Sequence, residues 1–396
     1  MSIPDVMCVV EALAKHKSVL LEGPPGTGKT RLVTEVLSAV TNLQPTPGGG
    51  RPQIRPGAGF GTAAGAARPN PLPSTMTVEW VTFHQSYSYE EFILGRRPVP
   101  EGPGGIRLEP HFGLLTSLAV SLGSHDPDKG VLLVIDEVNR ANASQVFGEF
   151  ITLLDPDYRA TVGGNVNPRR VLPRFPGVAY DNGSSEPVRM LRGGGTYELP
   201  DDWAFPENFY VVATMNSVDK AALPLDSALT RRFHRLECPP DLTALAAALG
   251  LDWLQVDEAA DKARSQDGWA ELTAEQTTVL LLERLNLEIA TDLSGDFELG
   301  HGLLWPVVEA DPSARWDALI RCWDHAVLPQ LIERFAGRDE KLRELLKVDA
   351  GTAVGSAFAV RGLLGQPALD EGPLELPPLA TESQTVASTT LRWLAT

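Results

Sequence analysis

Gly23-Pro24-Pro25-Gly26-Thr27-Gly28-Lys29-Thr30 decides the reading of this chain. The stretch follows a short apolar run, Ser18-Val19-Leu20-Leu21, and precedes a segment from Arg31 to Val40 that reads as a helix. Strand, glycine-rich turn and helix are the setting in which G-x-x-x-x-G-K-[ST] binds a nucleoside triphosphate. Glycines are needed because backbone N–H groups must close around phosphate oxygens with no Cβ in the way. The helix N-terminus adds a favourable dipole. On this pattern residues 23–28 form the cradle, Lys29 reaches the β- and γ-phosphates, and the Thr30 hydroxyl ligates Mg²⁺.

Downstream, Val131-Leu132-Leu133-Val134-Ile135-Asp136-Glu137 reads as a buried parallel strand ending in two acids. In a phosphate-loop protein, Asp136 holds Mg²⁺, usually through water, and Glu137 polarises the attacking water as general base. A third strand, Phe209 to Thr214, delivers Met215-Asn216 to its carboxyl end, the edge at which open α/β sheets bind ligands. With the other motifs Asn216 is placed to orient the lytic water; by itself it reads as a turn residue. Arg231 and Arg232 close a short helical stretch, Leu225 to Thr230. Either they favour a helix C-terminus, or, in a ring NTPase, they reach the neighbouring subunit's γ-phosphate.

Composition bounds the remaining possibilities. The 396 residues are enough for two or three domains, and 43% hydrophobic residues is ordinary for a globular protein. No apolar run approaches a membrane span, and the first residues lack a signal-peptide pattern. Cys8, Cys238 and Cys322 lack metal-like spacing, which fits a reducing cytoplasm. The net charge of −17 argues against a surface that binds nucleic acid throughout. Two stretches are nevertheless locally basic: 41–75, with Arg51, Arg55 and Arg68, and 157–197, with six arginines including Arg159, Arg174 and Arg189. They either solubilise glycine- and proline-rich loops or contact a polymer or partner.

Together these motifs resemble the AAA+ superfamily, and its McrB-like branch more closely. The resemblance rests on Phe83-His84-Gln85-Ser86-Tyr87-Ser88-Tyr89-Glu90-Glu91-Phe92-Ile93, on Asp136-Glu137-Val138-Asn139-Arg140-Ala141-Asn142, and on Ala213-Thr214-Met215-Asn216. Ala228-Leu229-Thr230-Arg231-Arg232-Phe233 completes it, so residues 17–240 are covered. Leu299-Gly300-His301 extends it more loosely. It implies a three-layer α/β/α core on a parallel sheet with a small all-α lid, in which His301 senses the nucleotide. It further implies a homo-oligomeric ring of six, a separate McrC-like nuclease subunit, and DNA engaged through that complex. Members of the branch that use GTP carry M-N-T-A-D-R-S where this chain has Met215-Asn216-Ser217-Val218-Asp219-Lys220-Ala221. ATP is therefore expected, with GTP the alternative. A MoxR-like protein-remodelling ATPase is the second functional reading, and a non-hydrolysing switch the third. No sizeable segment precedes the phosphate loop, so the separate DNA-reading domain of some relatives is expected to be absent.

The expected organisation is an NTPase core over 1–240, a helical lid over 241–347 and a mostly disordered tail over 348–396. Within the core, 41–76 and 157–197 read as flexible insertions and 77–156 as βαβ patterning. An amphipathic lead-in helix runs from Val6 to Lys15. Lid helices are read at Leu242–Leu249, Thr277–Ile289 and Trp316–Phe335 from apolar residues at three- and four-residue spacing. Tyr87 and Tyr89 are read as packing residues or, on the resemblance, as facing a ring pore. Leu391-Arg392-Trp393-Leu394 either docks on a partner or packs within the chain.

Overall fold

The computed structural model describes residues 3–40, 71–102, 104–123, 126–191, 195–218, 225–264, 268–348, 354–358 and 376–396. The chain divides into two units. One comprises Met1–Glu22 with Lys29–Cys238, the other Gly23–Gly28 with Pro239–Thr396.

The first unit is built on a parallel five-stranded sheet. Its strands are β1 (Ser18–Gly23), β2 (Thr75–Thr82), β5 (Lys129–Asp136), β12 (Phe209–Asn216) and β13 (His234–Glu237), in spatial order β13-β1-β12-β5-β2. The three central strands are continuous apolar runs because helices cover both faces. The edge strands β2 and β13 alternate in burial, as half-covered strands do. Side-chain alternation divides the core in two. Val19, Leu21, Leu132, Val134 and Val212 pack with Val9, Leu13, Val33 and Val36 of helices α1 (Val6–His16) and α2 (Lys29–Val40). Leu20, Leu133, Ile135 and Val211 face the opposite way, onto Leu115, Ala119, Val146 and Phe147. This is the three-layer α/β/α arrangement.

Between β2 and β5 the structure corrects the plain βαβ reading. An antiparallel hairpin, β3 (Leu94–Glu101) and β4 (Gly105–Phe112), joins two short strands, β10 (Val188–Arg189) and β11 (Thr196–Tyr197), in a second sheet ordered β11-β10-β4-β3. Pro98 and Pro100 sit on β3, the edge strand, where a missing N–H costs no ladder bond. The described residues of the 157–197 stretch form three small antiparallel pairs. They are β6 (Thr161–Val162) with β7 (Asn165–Val166), β8 (Tyr180–Asp181) with β9 (Ser184–Ser185), and β10 (Val188–Arg189) with β11 (Thr196–Tyr197). Arg159 anchors them. It is wholly buried and donates to the carbonyls of Leu153 (2.9 Å), Leu154 (3.0 Å), Glu207 (3.3 Å) and Phe209. Its neighbours are neutralised locally, since Arg174 pairs with Asp201 at 2.7 Å and Arg189 with Glu109 at 2.9 Å. The basic composition of this stretch therefore does not make a basic surface from these arginines. Arg51, Arg55 and Arg68, with the rest of 41–70, lie outside the described residues, as does Arg192.

The second unit is helical from Leu242–Ala248 through Trp253–Ala263, Ala274–Asp292 and Arg315–Arg334 to Asp339–Leu345. Arg315–Arg334 is one helical path with a π-turn at Trp323–Val327, where the Leu328 N–H donates to the Trp323 carbonyl. Pro329 follows at once and supplies no N–H, which is where a wider turn is tolerated. The expectation of a disordered tail is corrected at its end: Gln384–Leu394 is a helix, and Leu391 and Leu394 are fully buried in the core of this unit. Asp324 accepts from the backbone N–H groups of Leu379 (2.8 Å) and Ala380 (2.7 Å), and Arg284 donates to the Leu394 carbonyl at 2.6 Å. The terminal Trp393 thus belongs to an intramolecular contact, against Trp269 at a ring separation of 5.6 Å. Residues 359–375 of the tail lie outside the described residues. No described helix is long and apolar enough to cross a membrane.

Candidate functional site

In the first unit, Lys29 opens α2 and is only 7% exposed. Burial lowers its pKa to about 8, opposed by Cys238, Glu137, Asp136 and Glu22. The Cys238 thiol is itself pushed up to about 11 by burial. It is therefore neutral at pH 7, and the three carboxylates supply the opposing charge. Thr30 follows with its side chain toward solvent.

β5 ends at Asp136, and Glu137 turns the chain with φ 56° and ψ 50°. That left-handed conformation costs a residue with a Cβ about 1–2 kcal/mol, and such backbone concentrates at functional sites. A 3-10 turn, Val138–Arg140, continues from it. β12, directly beside β5, brings in Thr214 and Asn216. The Thr214 hydroxyl donates to Asp136 Oδ1 at 2.5 Å and accepts from the Glu137 N–H at 3.1 Å. Asn216 Nδ2 donates to Glu137 Oε1 at 3.3 Å, and Asn139 Nδ2 donates to the Asn216 carbonyl at 3.0 Å. Arg140 Nε pairs with Glu137 Oε2. The Glu137 carboxylate is thus held on one oxygen by an amide and on the other by a guanidinium.

Arg231 and Arg232 follow the short helix Ser227–Thr230, fixed between the buried Leu229 and Phe233. The structure distinguishes them. Arg232 Nη1 donates to the Ala228 carbonyl at 2.7 Å. Arg231 is exposed; its backbone N–H donates to the Ser227 carbonyl at 3.2 Å, while its guanidinium has no hydrogen bond or ion pair among the described residues. Tyr87 and Tyr89 are packing residues: Tyr87 stacks on Phe83 at 4.8 Å, and Tyr89 donates to Glu149 at 2.8 Å. His84 is exposed, edge-on to Tyr87.

In the second unit, Gly26 and Gly28 both have φ +81°, a conformation that favours glycine. The Thr27 hydroxyl closes the loop onto the Pro24 carbonyl at 3.0 Å. The Gly26 carbonyl accepts from the Gly302 N–H at 2.8 Å. A Cβ on Gly300 would lie 2.1 Å from the Gly26 carbonyl carbon. His301, between those glycines, accepts through Nδ1 from the Asp241 N–H at 2.9 Å. Its neutral ring therefore carries the proton on Nε2. A Cβ built on Gly28 would lie 3.8 Å from that nitrogen.

Sequence reasoning missed Thr214, Asn139 and Arg140 as site residues. Thr214 had one signal, a hydroxyl near the end of an otherwise apolar strand. In the first unit a cation is buried among acids, and a hydroxyl and a carboxylate, Thr30 and Asp136, offer hard oxygen donors, a set that fits phosphate with its metal.

A parallel sheet that separates its first two strands, β1 and β2, by the acid-bearing β5 and the Asn216-bearing β12 places the chain in the AAA+ class. Residues 72–233 match the AAA domain (dynein-related subfamily), and residues 277–343 match the McrB alpha-helical lid domain. The chain is 27% identical over 323 residues to the type IV methyl-directed restriction enzyme EcoKMcrB subunit of Escherichia coli K12, covering 79% of this chain and 54% of that protein. It is 28% identical over 224 residues to the type II restriction enzyme BsuMI component YdiS of Bacillus subtilis 168, covering 54% of each. The chain spans about half the length of both relatives. A solved structure of C. elegans PCH-2 overlaps 86% of this chain and 68% of its own at a TM-score of 0.32 and 14% identity, too loosely to bear on the site. The two domain matches and the two relatives support a McrB-like AAA+ NTPase.

Proposed function

We propose that the chain hydrolyses ATP, with GTP the alternative, as the motor subunit of a hexameric ring that drives a separate McrC-like nuclease on DNA. The observation that carries the hydrolytic reading is the Asn216–Glu137 bond in the unit that buries Lys29. It holds a carboxylate, on a turn that strain confines to one shape, where a base is required. Glu137 takes the proton of the attacking water, and Asn216 orients that water. Lys29 binds phosphate oxygens, residues 23–28 cradle them with backbone N–H groups, and His301 Nε2–H reports on them from the lid. Thr30 and Asp136 would hold Mg²⁺, which when bound offsets phosphate charge.

Arg231, exposed and with its guanidinium unpaired among the described residues, is the group best suited to complete a neighbour's site; Arg232 is committed to its own helix. The restriction setting follows from what the two relatives are named for, and ATP over GTP from the departure at 215–221, of which 219–221 lie outside the described residues. We place the protein in the cytoplasm, where its free cysteines are stable. The match of the lid to that of McrB does not favour a MoxR-like chaperone.

The test is turnover with ATP and with GTP, with and without a McrC-like nuclease subunit and DNA, in wild type and Glu137→Gln. The variant should keep nucleotide affinity and lose about 10²–10⁴-fold in turnover. Undiminished turnover in Glu137→Gln refutes the base assignment. Turnover indifferent to both DNA and partner refutes the restriction role.

A further inference from the structure

The hydroxyl of Thr214 has no assigned task in the chemistry described, yet it is the group that ties the two acids to one another. It is 3% exposed and lies where β12 ends beside β5. The last paired residues of those strands are Ala213 and Ile135, so Thr214 stands next to Asp136 by register. Its single proton can serve only one acceptor. The Glu137 N–H points at the same oxygen and can only donate, so the hydroxyl proton is committed to Asp136 Oδ1. That bond, at 2.5 Å to a carboxylate, is of the charge-assisted kind.

Two consequences follow from this polarity. First, the Asp136 carboxylate cannot rotate without breaking its bond to Thr214, and among the described residues no other side chain bonds it. Oδ1 is occupied and Oδ2 is the oxygen left for a ligand. Second, the part-buried Glu137 N–H, at the residue that makes the left-handed turn, finds its acceptor in Thr214. One hydroxyl therefore fixes the rotamer of the first acid and the backbone turn of the second.

We propose that Thr214 is a positioning residue for Mg²⁺-dependent nucleotide binding: it presets which Asp136 oxygen meets the metal and stabilises the turn that aims Glu137. The assignment rests on the nucleotide-hydrolysing reading above. It calls for a hydroxyl at this position, so a β-branched isostere without one should fail and serine should succeed.

The experiment titrates Mg²⁺ into full-length protein with a fluorescent methylanthraniloyl-ATP, and separately measures the affinity of the same nucleotide in EDTA. For Thr214→Val, affinity in EDTA should stay within about twofold of wild type, while the Mg²⁺ concentration for half-maximal effect rises roughly 10- to 100-fold, the scale of a lost bond to a charged group. Thr214→Ser should return that concentration to within about threefold of wild type. Should Thr214→Val not fold, Thr214→Ala, which leaves space rather than a misfit, gives the same comparison. A wild-type Mg²⁺ titration in a folded Thr214→Val or Thr214→Ala overturns the role of Thr214 alone. Equal loss in EDTA and in Mg²⁺ also overturns it, since a merely structural role has that signature. Absence of nucleotide binding by the wild-type protein overturns both this assignment and the reading beneath it.

Discussion

Gly300→Ala adds one carbon where the second unit has no room for it. The new Cβ would sit 2.1 Å from the Gly26 carbonyl carbon and 2.4 Å from both the Gly26 and Pro25 carbonyl oxygens. Ordinary contacts begin near 3.4 Å, so turn and loop must part by more than an ångström. Backbone strain is not the issue, because Gly300 has φ −70° and ψ 141°, which alanine adopts freely. A separation of that size breaks the Gly302 N–H bond to the Gly26 carbonyl, now 2.8 Å. Overpacking costs about 1–3 kcal/mol and the lost bond about 0.5–1.5 kcal/mol, so the total is about 2–4 kcal/mol. Charged to folding, that lowers the melting temperature by roughly 5–15 °C. Charged instead to a displaced phosphate loop, it weakens nucleotide binding by roughly 30- to 1,000-fold. Calorimetric melting and nucleotide titration on one preparation separate the two. Gly295→Ala is the control, since its Cβ would meet nothing closer than 3.9 Å. A Gly300→Ala protein with wild-type melting and wild-type affinity refutes the close approach.

Three further outcomes are expected. Nucleotide affinity should fall as pH rises through about 8: burial holds the Lys29 pKa near that value, the phosphates favour its charged form, and binding above it must take up a proton. A flat affinity profile between pH 7 and 9.5 contradicts the burial of that ammonium among Asp136, Glu137 and Glu22, and Lys29→Met should abolish the dependence. Arg159→Met should destabilise the first unit by about 2–4 kcal/mol, through buried carbonyls left unpaired. An unchanged denaturant midpoint would show that water or rearrangement satisfies them. Arg231→Ala should leave melting and nucleotide binding intact while turnover of the oligomer falls about 10³-fold or more. Arg232→Ala should instead lower stability, and the reverse pattern would exchange the roles of the two arginines.

Legibility followed how local each determinant is. The central strands could be read because a parallel strand covered on both faces is an uninterrupted apolar run, as in Val131 to Ile135. The β3–β4 hairpin could not: Pro98, Pro100 and Pro110 interrupt its alternation, and its strands are held by register with each other and with β10. Over residues 157–197, charge counted along the chain is offset across it at Arg174 and Arg189, by Asp201 and Glu109. The helix Gln384–Leu394 lies in a tail whose sequence reads as mostly disordered, and packing against the rest of its unit holds it. Its Leu391 and Leu394 are buried because residues distant in the chain supply the other side; the Leu272 carbonyl, 120 positions earlier, accepts from Arg392 at 2.8 Å.

By itself the sequence determined the chemistry on offer. It placed a phosphate-binding loop after a buried strand, two acids after another and an asparagine after a third, because each requires only a short run of residues in a set order. Tertiary structure alone decided which atoms meet. Thr214 bonds to Asp136 across 78 positions of chain because β12 lies beside β5. Gly26 is held by Gly302 because two glycines allow backbone to reach backbone. Such contacts depend on strand order and close approach, which no local run of residues specifies.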